Sequence, residues 1–311
     1  MARTRIGLGL AALGRPAYIN LGRAEQLPAG RAVAAMRQAT HAVLDDAYRA
    51  GVRWVDVARS YGYAEEFLAA WLADRGHRDL TVSSKWGYSY VGDWRLDAEV
   101  HEVKEHSLAR FEQQWAESSE LLGPKINFYQ VHSLTLDSPL FGDERLIEAL
   151  AALGDRGVRV GFSTSGPAQR DVVRRAFELS SGGRPVFTAV QSTWNLLEPS
   201  VGPALAEAHD AGAHVLVKET LANGRLAVEP PPVVAELAAR LRTGPDAVAV
   251  AAVLDQPWAD TVLVGPASAD QLDRNLAADE LVFGEEDRKA LAGLAEPASS
   301  YWARRSSLRW Q

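Results

Sequence analysis

The chain has 311 residues, of which 47% are hydrophobic and 23% are charged, and this globular composition excludes a disordered, collagen-like or coiled-coil protein. The formal net charge of −7 at pH 7 argues against binding to nucleic acid or an anionic membrane surface, because both need clustered Lys and Arg. The absence of cysteine excludes disulfides, thiolate catalysis and cysteine–zinc sites.

The first apolar run, residues 6–13, follows two arginines and therefore has the charge pattern of a secretory signal. However, Gly7 and Gly9 interrupt the run, it is short for a signal, and no small-x-small cleavage pattern follows it. The segment is predicted instead to be a buried strand. Since there is no stretch of about 18 apolar residues, no membrane-spanning helix is predicted, and we expect a cytoplasmic protein.

Short strand patterns alternate with amphipathic helix patterns along the whole chain, and this alternation predicts a parallel sheet with right-handed crossovers. The predicted strands cover residues 6–10, 53–57, 80–85, 126–131, 158–163, 188–192, 214–219 and 261–264. The predicted helices cover residues 34–50, 64–74, 97–122, 143–156, 168–179, 200–211, 232–242 and 246–255.

Eight strand–helix units in one chain of this length favour a single (β/α)8 (TIM) barrel over residues 1–311. An open α/β sheet is the alternative. A dinucleotide-binding fingerprint does not support a doubly wound fold, because the third glycine after Gly7-Leu8-Gly9 would fall at Ala12.

An acid, a phenol, an amine and an imidazole follow three consecutive predicted strands. Asp56 and Tyr61 follow the second strand, Lys85 ends the third, and His132 follows the fourth. The carboxyl ends of barrel strands form one rim, which holds the active site. Each residue alone has an ordinary explanation as a cap, a packed ring or a solvated charge, but together they predict a catalytic site.

This set of residue types suits proton transfer to a carbonyl oxygen. A phenol with a pKa near 10 is a poor general acid–base at neutral pH, and a nearby ammonium lowers that pKa by stabilising the phenolate. A carboxylate holds the ammonium in place, and a neutral imidazole can hydrogen-bond the carbonyl oxygen. The expected reaction is therefore hydride addition to a carbonyl group.

These segments resemble the aldo-keto reductase superfamily. The resemblance rests on six motifs in order: Asp56-Val-Ala-Arg-Ser-Tyr61-Gly62, Lys85, Tyr129-Gln-Val-His132, Gly161-Phe-Ser163-Thr164, Gln191-Ser-Thr-Trp194-Asn195-Leu-Leu and Val264-Gly265-Pro-Ala-Ser268-Ala-Asp-Gln271-Leu-Asp-Arg-Asn275. It implies a (β/α)8 barrel that binds an extended nicotinamide cofactor without a Rossmann fold.

The resemblance also implies residue roles. Tyr61 would be the general acid, Lys85 and Asp56 would tune it, and His132 would orient the substrate. Ser163 and Gln191 would hold the nicotinamide carboxamide. The full set of cofactor-binding positions is then Ser163, Thr164, Gln191, Lys218, Leu221, Gly265, Ser268, Gln271 and Asn275.

Two positions depart from the family pattern. Thr164 stands where the family usually has Asn, which is a mild change because a hydroxyl also forms hydrogen bonds. Lys218-Glu219-Thr220-Leu221 stands where the family has Tyr-Ser-Pro-Leu, whose Tyr stacks on the nicotinamide ring. Lys218 would cover that ring with its methylene stem, contact the cofactor phosphates, or pair with Glu219 or another acid.

On the substrate side, Trp86 and Tyr88 follow Lys85 where the family has a loop over the substrate, and a loop packed on itself is the alternative. The tail, about residues 296–311, is expected to dock over the rim.

The resemblance implies NADP(H) as the cofactor, since many members of the family bind the 2′-phosphate with basic residues. NAD(H) stays an alternative, because Arg274 is the one basic residue near the adenosine segment. No metal site is predicted.

The expected function is NADP(H)-dependent reduction of an aldehyde or ketone, with a small carbonyl compound or sugar as the substrate. Two alternatives stay open: an NAD(P)-dependent aldose 1-dehydrogenase and a non-catalytic cofactor-sensing subunit. The complete set of Asp56, Tyr61, Lys85 and His132 argues against an inert role. A hydrolase or lyase would need paired carboxylates or a metal cluster at the rim, and the sequence has neither there.

Overall fold

Short runs rich in β-branched residues form the strands. The computed structural model describes residues 4–311. Within them, the strands are β1 (Ile6–Gly9), β2 (Trp54–Asp56), β3 (Thr81–Trp86), β4 (Tyr88–Tyr90), β5 (Glu102–Lys104), β6 (Ile126–Leu134), β7 (Arg159–Thr164), β8 (Ser180–Ser181), β9 (Arg184–Pro185), β10 (Ala189–Thr193), β11 (His214–Lys218) and β12 (Thr261–Val264).

Eight of these strands close into a parallel barrel in the order β1-β12-β11-β10-β7-β6-β3-β2. Each pairs in parallel with its neighbours, and β1 closes the ring by pairing with both β2 and β12. The predicted (β/α)8 barrel is therefore confirmed, and the eight predicted strands correspond to its eight strands.

Helices connect the barrel strands and also follow the last of them. They are α1 (Val33–Arg49), α2 (Ala64–Arg75), α3 (Leu108–Leu122), α4 (Glu144–Asp155), α5 (Gln169–Phe177), α6 (Gly202–Asp210), α7 (Arg225–Val228), α8 (Pro232–Leu241), α9 (Pro245–Leu254), α10 (Ala269–Leu276), α11 (Glu285–Ala292) and α12 (Ala298–Ser306). In α4, for example, Leu146, Leu150 and Leu153 are buried at helical spacing.

The helix predicted over residues 97–122 is wrong in its first part. The helix α3 begins only after Ser107, whose side chain caps it by accepting a hydrogen bond from the Arg110 backbone N–H. Residues before the cap contain β5, which pairs antiparallel with β4. This hairpin leaves the barrel after β3 and returns the chain across the active-site end.

The amino-terminal end of the barrel is filled by side chains. Trp54 stacks on the His214 ring with centroids 4.8 Å apart and lies 4.7 Å from the Phe128 ring. A Cβ on Gly7 would lie 2.9 Å from the Leu263 side chain, so no larger residue fits there without displacement. This plug leaves the opposite, carboxyl end of the barrel as the open one.

Among residues 4–311, no helix is both long enough and apolar enough to cross a membrane.

Candidate active site

A buried ion pair lies at the carboxyl ends of β2 and β3. The Lys85 ammonium contacts the Asp56 carboxylate and also donates to the Val57 backbone carbonyl at 3.1 Å. Asp56 accepts a further hydrogen bond from Ser83 Oγ at 2.6 Å. Burial lowers the pKa of Lys85, and Asp56 opposes that shift by stabilising the charged ammonium. The Asp56 carboxylate therefore favours the charged form of the buried Lys85 ammonium.

Tyr61 is held over this ion pair by a tight turn. Gly62, the next residue, has φ = +61°, and a Cβ there would lie 2.5 Å from the Gly14 carbonyl oxygen. A Cβ on Gly14 would in turn lie 2.3 Å from the Tyr61 carbonyl oxygen. The two glycines therefore allow the loops after β1 and β2 to touch, which fixes the Tyr61 backbone at the rim.

Two cations lie close to the Tyr61 ring. Lys85 Nζ is 5.0 Å from the ring centroid, and the Arg15 guanidinium is 4.9 Å from it. Burial raises the pKa of Tyr61 well above 10, and the charge of Arg15 acts in the opposite direction. The phenol is therefore protonated at neutral pH, and both cations favour the phenolate that forms when it gives up its proton.

His132 faces Tyr61 from the end of β6, with ring centroids 5.5 Å apart. Burial, and then the charges of Lys85, Lys218 and Arg15, lower its pKa well below 6.5, so the imidazole is neutral. The backbone carbonyl of His132 lies 2.8 Å from His106 Nε2. The four predicted catalytic side chains thus lie at one rim, and three of them line the same cavity.

That cavity, of about 510 Å³, extends from Tyr61 and His132 to the start of α10. Gly9 and Gly265 lie side by side on its floor, where a Cβ would have no neighbour closer than 3.5 Å and 3.8 Å respectively. A side chain at either position would occupy the cavity itself. The glycines therefore keep room for a long ligand between its two ends.

Gln191 lines the cavity where the carboxamide site was predicted. Its Nε2 donates to Asp56 at 3.1 Å. Ser163 Oγ accepts the Ser133 backbone N–H at 2.8 Å. Thr164 is fully buried, and its Oγ1 lies 2.7 Å from Ser192 Oγ. Gln191 therefore lines the cavity, and Ser163 and Thr164 lie behind the lining.

At the other end, Gly265, Gln271 and Asn275 line the cavity, as do Arg274 and Asp246. Arg274 Nε donates to Asp246 at 3.0 Å, so this arginine already has a counterion. Ser268 caps α10 by accepting the Gln271 backbone N–H and does not line the cavity.

Lys218 and Leu221 also line the cavity. Lys218 Nζ donates to Thr193 Oγ1 at 2.9 Å and lies 3.7 Å from Glu219. The Arg305 guanidinium in turn binds Glu219: its Nε lies 2.9 Å from both carboxylate oxygens, and its Nη2 donates to Oε1 at 2.5 Å. Arg305 belongs to α12, so this carboxylate ties the tail to the end of β11.

A model of the aldo/keto reductase family matches residues 5–296. The chain belongs to this family.

Two solved structures resemble the chain. One is an aldo-keto reductase from Bacillus halodurans in its holo form, with 21% identity, a TM-score of 0.69, and 94% of this chain and 93% of that chain covered. The other is a candidate aldo-keto reductase from Pseudomonas aeruginosa, with 23% identity, a TM-score of 0.64, and 94% and 92% covered. A search of curated proteins finds no significant match. These likenesses show the fold, and the membership of the aldo/keto reductase family supports a general oxidoreductase class.

The structure separates the two aromatic residues predicted on the substrate side of this aldo-keto reductase. Tyr88 lines the cavity, and its ring centroid lies 5.0 Å from that of His132. Trp86 is fully buried and packs on Phe111 of α3 at 5.1 Å, because successive strand residues point to opposite faces. Since Lys85 points inward, Trp86 points outward and does not reach the cavity.

Sequence reasoning missed several lining residues. Arg15 forms an ion pair of 2.5 Å with Glu102, and its guanidinium also lies over the Trp310 ring at 4.8 Å. The only sequence signal for Arg15 was its position just after β1, at the same rim as the other strand ends. Further missed lining residues are Ser133, Ser165 and Asp246.

A nicotinamide dinucleotide fits the residues present. The cavity is long, its glycine floor is open, and the amide-bearing Gln191 lines its catalytic end. In the part of the chain from residue 4 onward, no three His, Asp or Glu side chains cluster to bind a metal ion.

Proposed function

We propose that the protein reduces an aldehyde or ketone to an alcohol with a reduced nicotinamide dinucleotide, and that Tyr61 supplies the proton. The observation that supports this best is the placement of the Tyr61 phenol at a cavity, beside the Lys85–Asp56 ion pair and facing a neutral His132. A positioned phenol next to an ammonium is suited to protonate an oxygen on which negative charge develops.

In this proposal the bound cofactor supplies the hydride. The substrate carbonyl oxygen lies between Tyr61 and His132, whose neutral imidazole donates a hydrogen bond and orients it. As charge develops on this oxygen, the Tyr61 hydroxyl transfers its proton to it. Lys85 and Arg15 stabilise the phenolate that remains, because a positive charge near an anion lowers its free energy in a buried site. Asp56 keeps Lys85 charged and in place.

The same proposal assigns the cofactor to the long cavity. Gln191 would bind the carboxamide, with Ser163 behind it, and Leu221 and the methylene stem of Lys218 would lie along the middle of the molecule. Gly265, Gln271 and Asn275 would surround the adenosine. Thr164 and Ser268 would act from behind the lining, because their hydroxyls are already used in protein hydrogen bonds.

The direct test is a titration followed by an activity assay. NADPH and NADH should quench the intrinsic fluorescence of a chain with nine Trp, and aldehydes or ketones should then be reduced with loss of nicotinamide absorbance. A Gln191→Met variant should bind the cofactor more weakly, since it lacks the amide. No fluorescence change with either cofactor at millimolar concentration, together with no turnover, would contradict the proposal.

We propose NADP(H) as the preferred cofactor, with a modest preference. Arg274 and the start of α10 favour a 2′-phosphate, but Asp246 competes with that phosphate for Arg274. An Asp246→Asn variant should therefore raise the NADPH/NADH ratio of kcat/KM by about threefold to tenfold, because it frees a charged donor.

The matched control for this experiment is Asp255→Asn. Asp255 pairs with Arg288 at 2.6 Å but does not line the cavity, so this variant removes the same charge elsewhere and should leave the ratio unchanged. An unchanged ratio in Asp246→Asn would show that Arg274 does not meet a phosphate. A wild-type ratio that favours NADH would overturn the preference itself.

A further inference from the structure

The catalytic end of the cavity, formed by the charged residues around Tyr61, has an excess of positive charge. Its side chains include four cations, Arg15, Lys85, Lys218 and Arg305, and three carboxylates, Asp56, Glu102 and Glu219. His132 does not compensate for the excess, because it is neutral. Arg23, which is buried and donates to backbone carbonyls, adds to the positive charge of this wall.

The pairing of these groups places the excess on Lys218. Asp56 is bound to Lys85 and Glu102 to Arg15. Glu219 is bound by the Arg305 guanidinium, and Lys218 Nζ lies at the longer distance of 3.7 Å from it.

The position of Lys218 allows it to contact a substrate bound near Tyr61. The residue ends β11 next to Thr193 of β10 and lines the cavity with Tyr61 and His132, and its charge acts on His132. A partly buried ammonium with an incomplete counterion is stabilised by an added anion. An anionic group reaching this amine from a substrate at Tyr61 would complete the pairing that the protein leaves open.

We propose that Lys218 binds a carboxylate carried by the substrate, so that the protein prefers anionic aldehydes or ketones over neutral ones. This inference rests on the proposed function, since it names the substrate class of the same site. The ligand chemistry is a carboxylate held by one ammonium and reduced at a carbonyl group near Tyr61. The phosphates of the cofactor are the rival anion for this amine, and the experiment separates the two.

Binding is measured first, without turnover. With saturating NADPH present, benzoate should bind to the protein in calorimetry at least about tenfold more tightly than benzamide, because a charge-assisted bond to a lysine is lost in the neutral amide. The Lys218→Met variant should lose this difference, and Lys218→Arg should keep most of it. Lys289→Met, which removes one positive charge from the exposed face of α11, should bind benzoate like the wild type.

Turnover is measured next with matched pairs. The substrates are 3- and 4-carboxybenzaldehyde and their methyl esters, and the quantity is the acid/ester ratio of kcat/KM. We expect a ratio of about ten or more in the wild type and a ratio near one in Lys218→Met. The ratio cancels effects of folding or cofactor binding that the two substrates share, so a partly damaged variant still gives a clear answer.

The ratio should also fall as the pH rises. Burial lowers the pKa of Lys218 to about 8, and the charges of Arg305 and Lys85 act in the same direction while Glu219 opposes them. His132 stays neutral because its pKa lies well below 6.5, and the pKa shifts of Arg305 and Glu219 keep both of these groups charged near this pH. The loss of the Lys218 charge should therefore dominate. A ratio that stays constant through this range contradicts the assignment to Lys218.

The failures of the two proposals are distinguishable. Reduction of the esters with no preference for the acids would overturn the carboxylate site and leave the reductase proposal standing. Weaker NADPH binding in Lys218→Met with unchanged benzoate binding would assign the amine to the cofactor and overturn the inference. If neither substrate turns over, weaker benzoate binding in Lys218→Met still supports the carboxylate site. Unchanged benzoate binding in that variant overturns the carboxylate site.

Discussion

Replacement of Tyr61 by Phe is expected to lower kcat by about 10²-fold or more, because the variant lacks the positioned acid that protonates the carbonyl oxygen. The phenol acts when charge develops in the transition state, so its loss should affect kcat and leave the affinity for the cofactor nearly unchanged. Steady-state kinetics with one aldehyde and a fluorescence titration with NADPH measure the two quantities separately.

The matched control is Tyr63→Phe. Tyr63 lies two residues further along the chain but is 42% exposed, so it loses the same hydroxyl outside the cavity and should keep wild-type turnover. Near-wild-type kcat in Tyr61→Phe would show that another group supplies the proton. Loss of NADPH binding in the same variant would show that Tyr61 supports the cavity rather than the chemistry.

The electrostatics around Tyr61 link the tail to this step. Trp310 packs on Arg15, and Arg15 lies over the Tyr61 ring while Glu102 holds its guanidinium. The tail therefore covers one of the two cations that would stabilise a Tyr61 phenolate in the proposed reaction, and it shields this cation from water. A shielded charge acts more strongly on its neighbour, because the local dielectric constant is lower.

The barrel could be predicted from the sequence because its signals are local. Each strand is a short apolar run followed by a helix pattern, and the strand over residues 261–264 agrees with β12 at both ends. The failure at residues 97–107 has a local cause as well, since a capping Ser107 separates a hairpin strand from α3. The predicted helix was extended through Ser107 to residue 97, although a serine at this position is a typical helix N-cap.

The side chains proposed as catalytic could be predicted for the same reason, since each lies near the carboxyl end of a strand or in the loop just after it. Arg15 and Glu102 could not, because they lie 87 residues apart in sequence and meet only when the β4–β5 hairpin crosses the rim. Trp86 was predictable in principle. Successive strand residues point to opposite faces, so Trp86 lies on the face opposite to Lys85. The aromatic character of the segment alone does not show which of its rings reach the cavity.

A double substitution at the Lys85–Asp56 ion pair should separate stability from catalysis. The single variant Asp56→Asn leaves the buried Lys85 ammonium without its counterion, so we expect a loss of about 3–5 kcal/mol in the free energy of unfolding. Adding Lys85→Met removes the orphaned charge, and the double variant should regain most of that stability. Denaturant unfolding of the wild type and both variants measures these differences.

The pH dependence of stability tests the role of the Lys85 charge. In Asp56→Asn the folded-state pKa of Lys85 is lowered further by burial, while the unfolded chain keeps an ordinary lysine. The unfolded state then binds more protons between the two pKa values, so the stability of this variant should rise with pH. The double variant has no lysine at this position, so this contribution to the pH dependence should be absent from it.

Turnover should behave differently from stability. Both variants should lose kcat by about 10²-fold or more, because neither retains a charged, anchored ammonium beside the Tyr61 phenol. Recovery of turnover in the double variant would show that Lys85 is only a structural partner of Asp56. A double variant no more stable than Asp56→Asn would show that Asp56 stabilises the barrel through Ser83 and Gln191 rather than through the charge of Lys85.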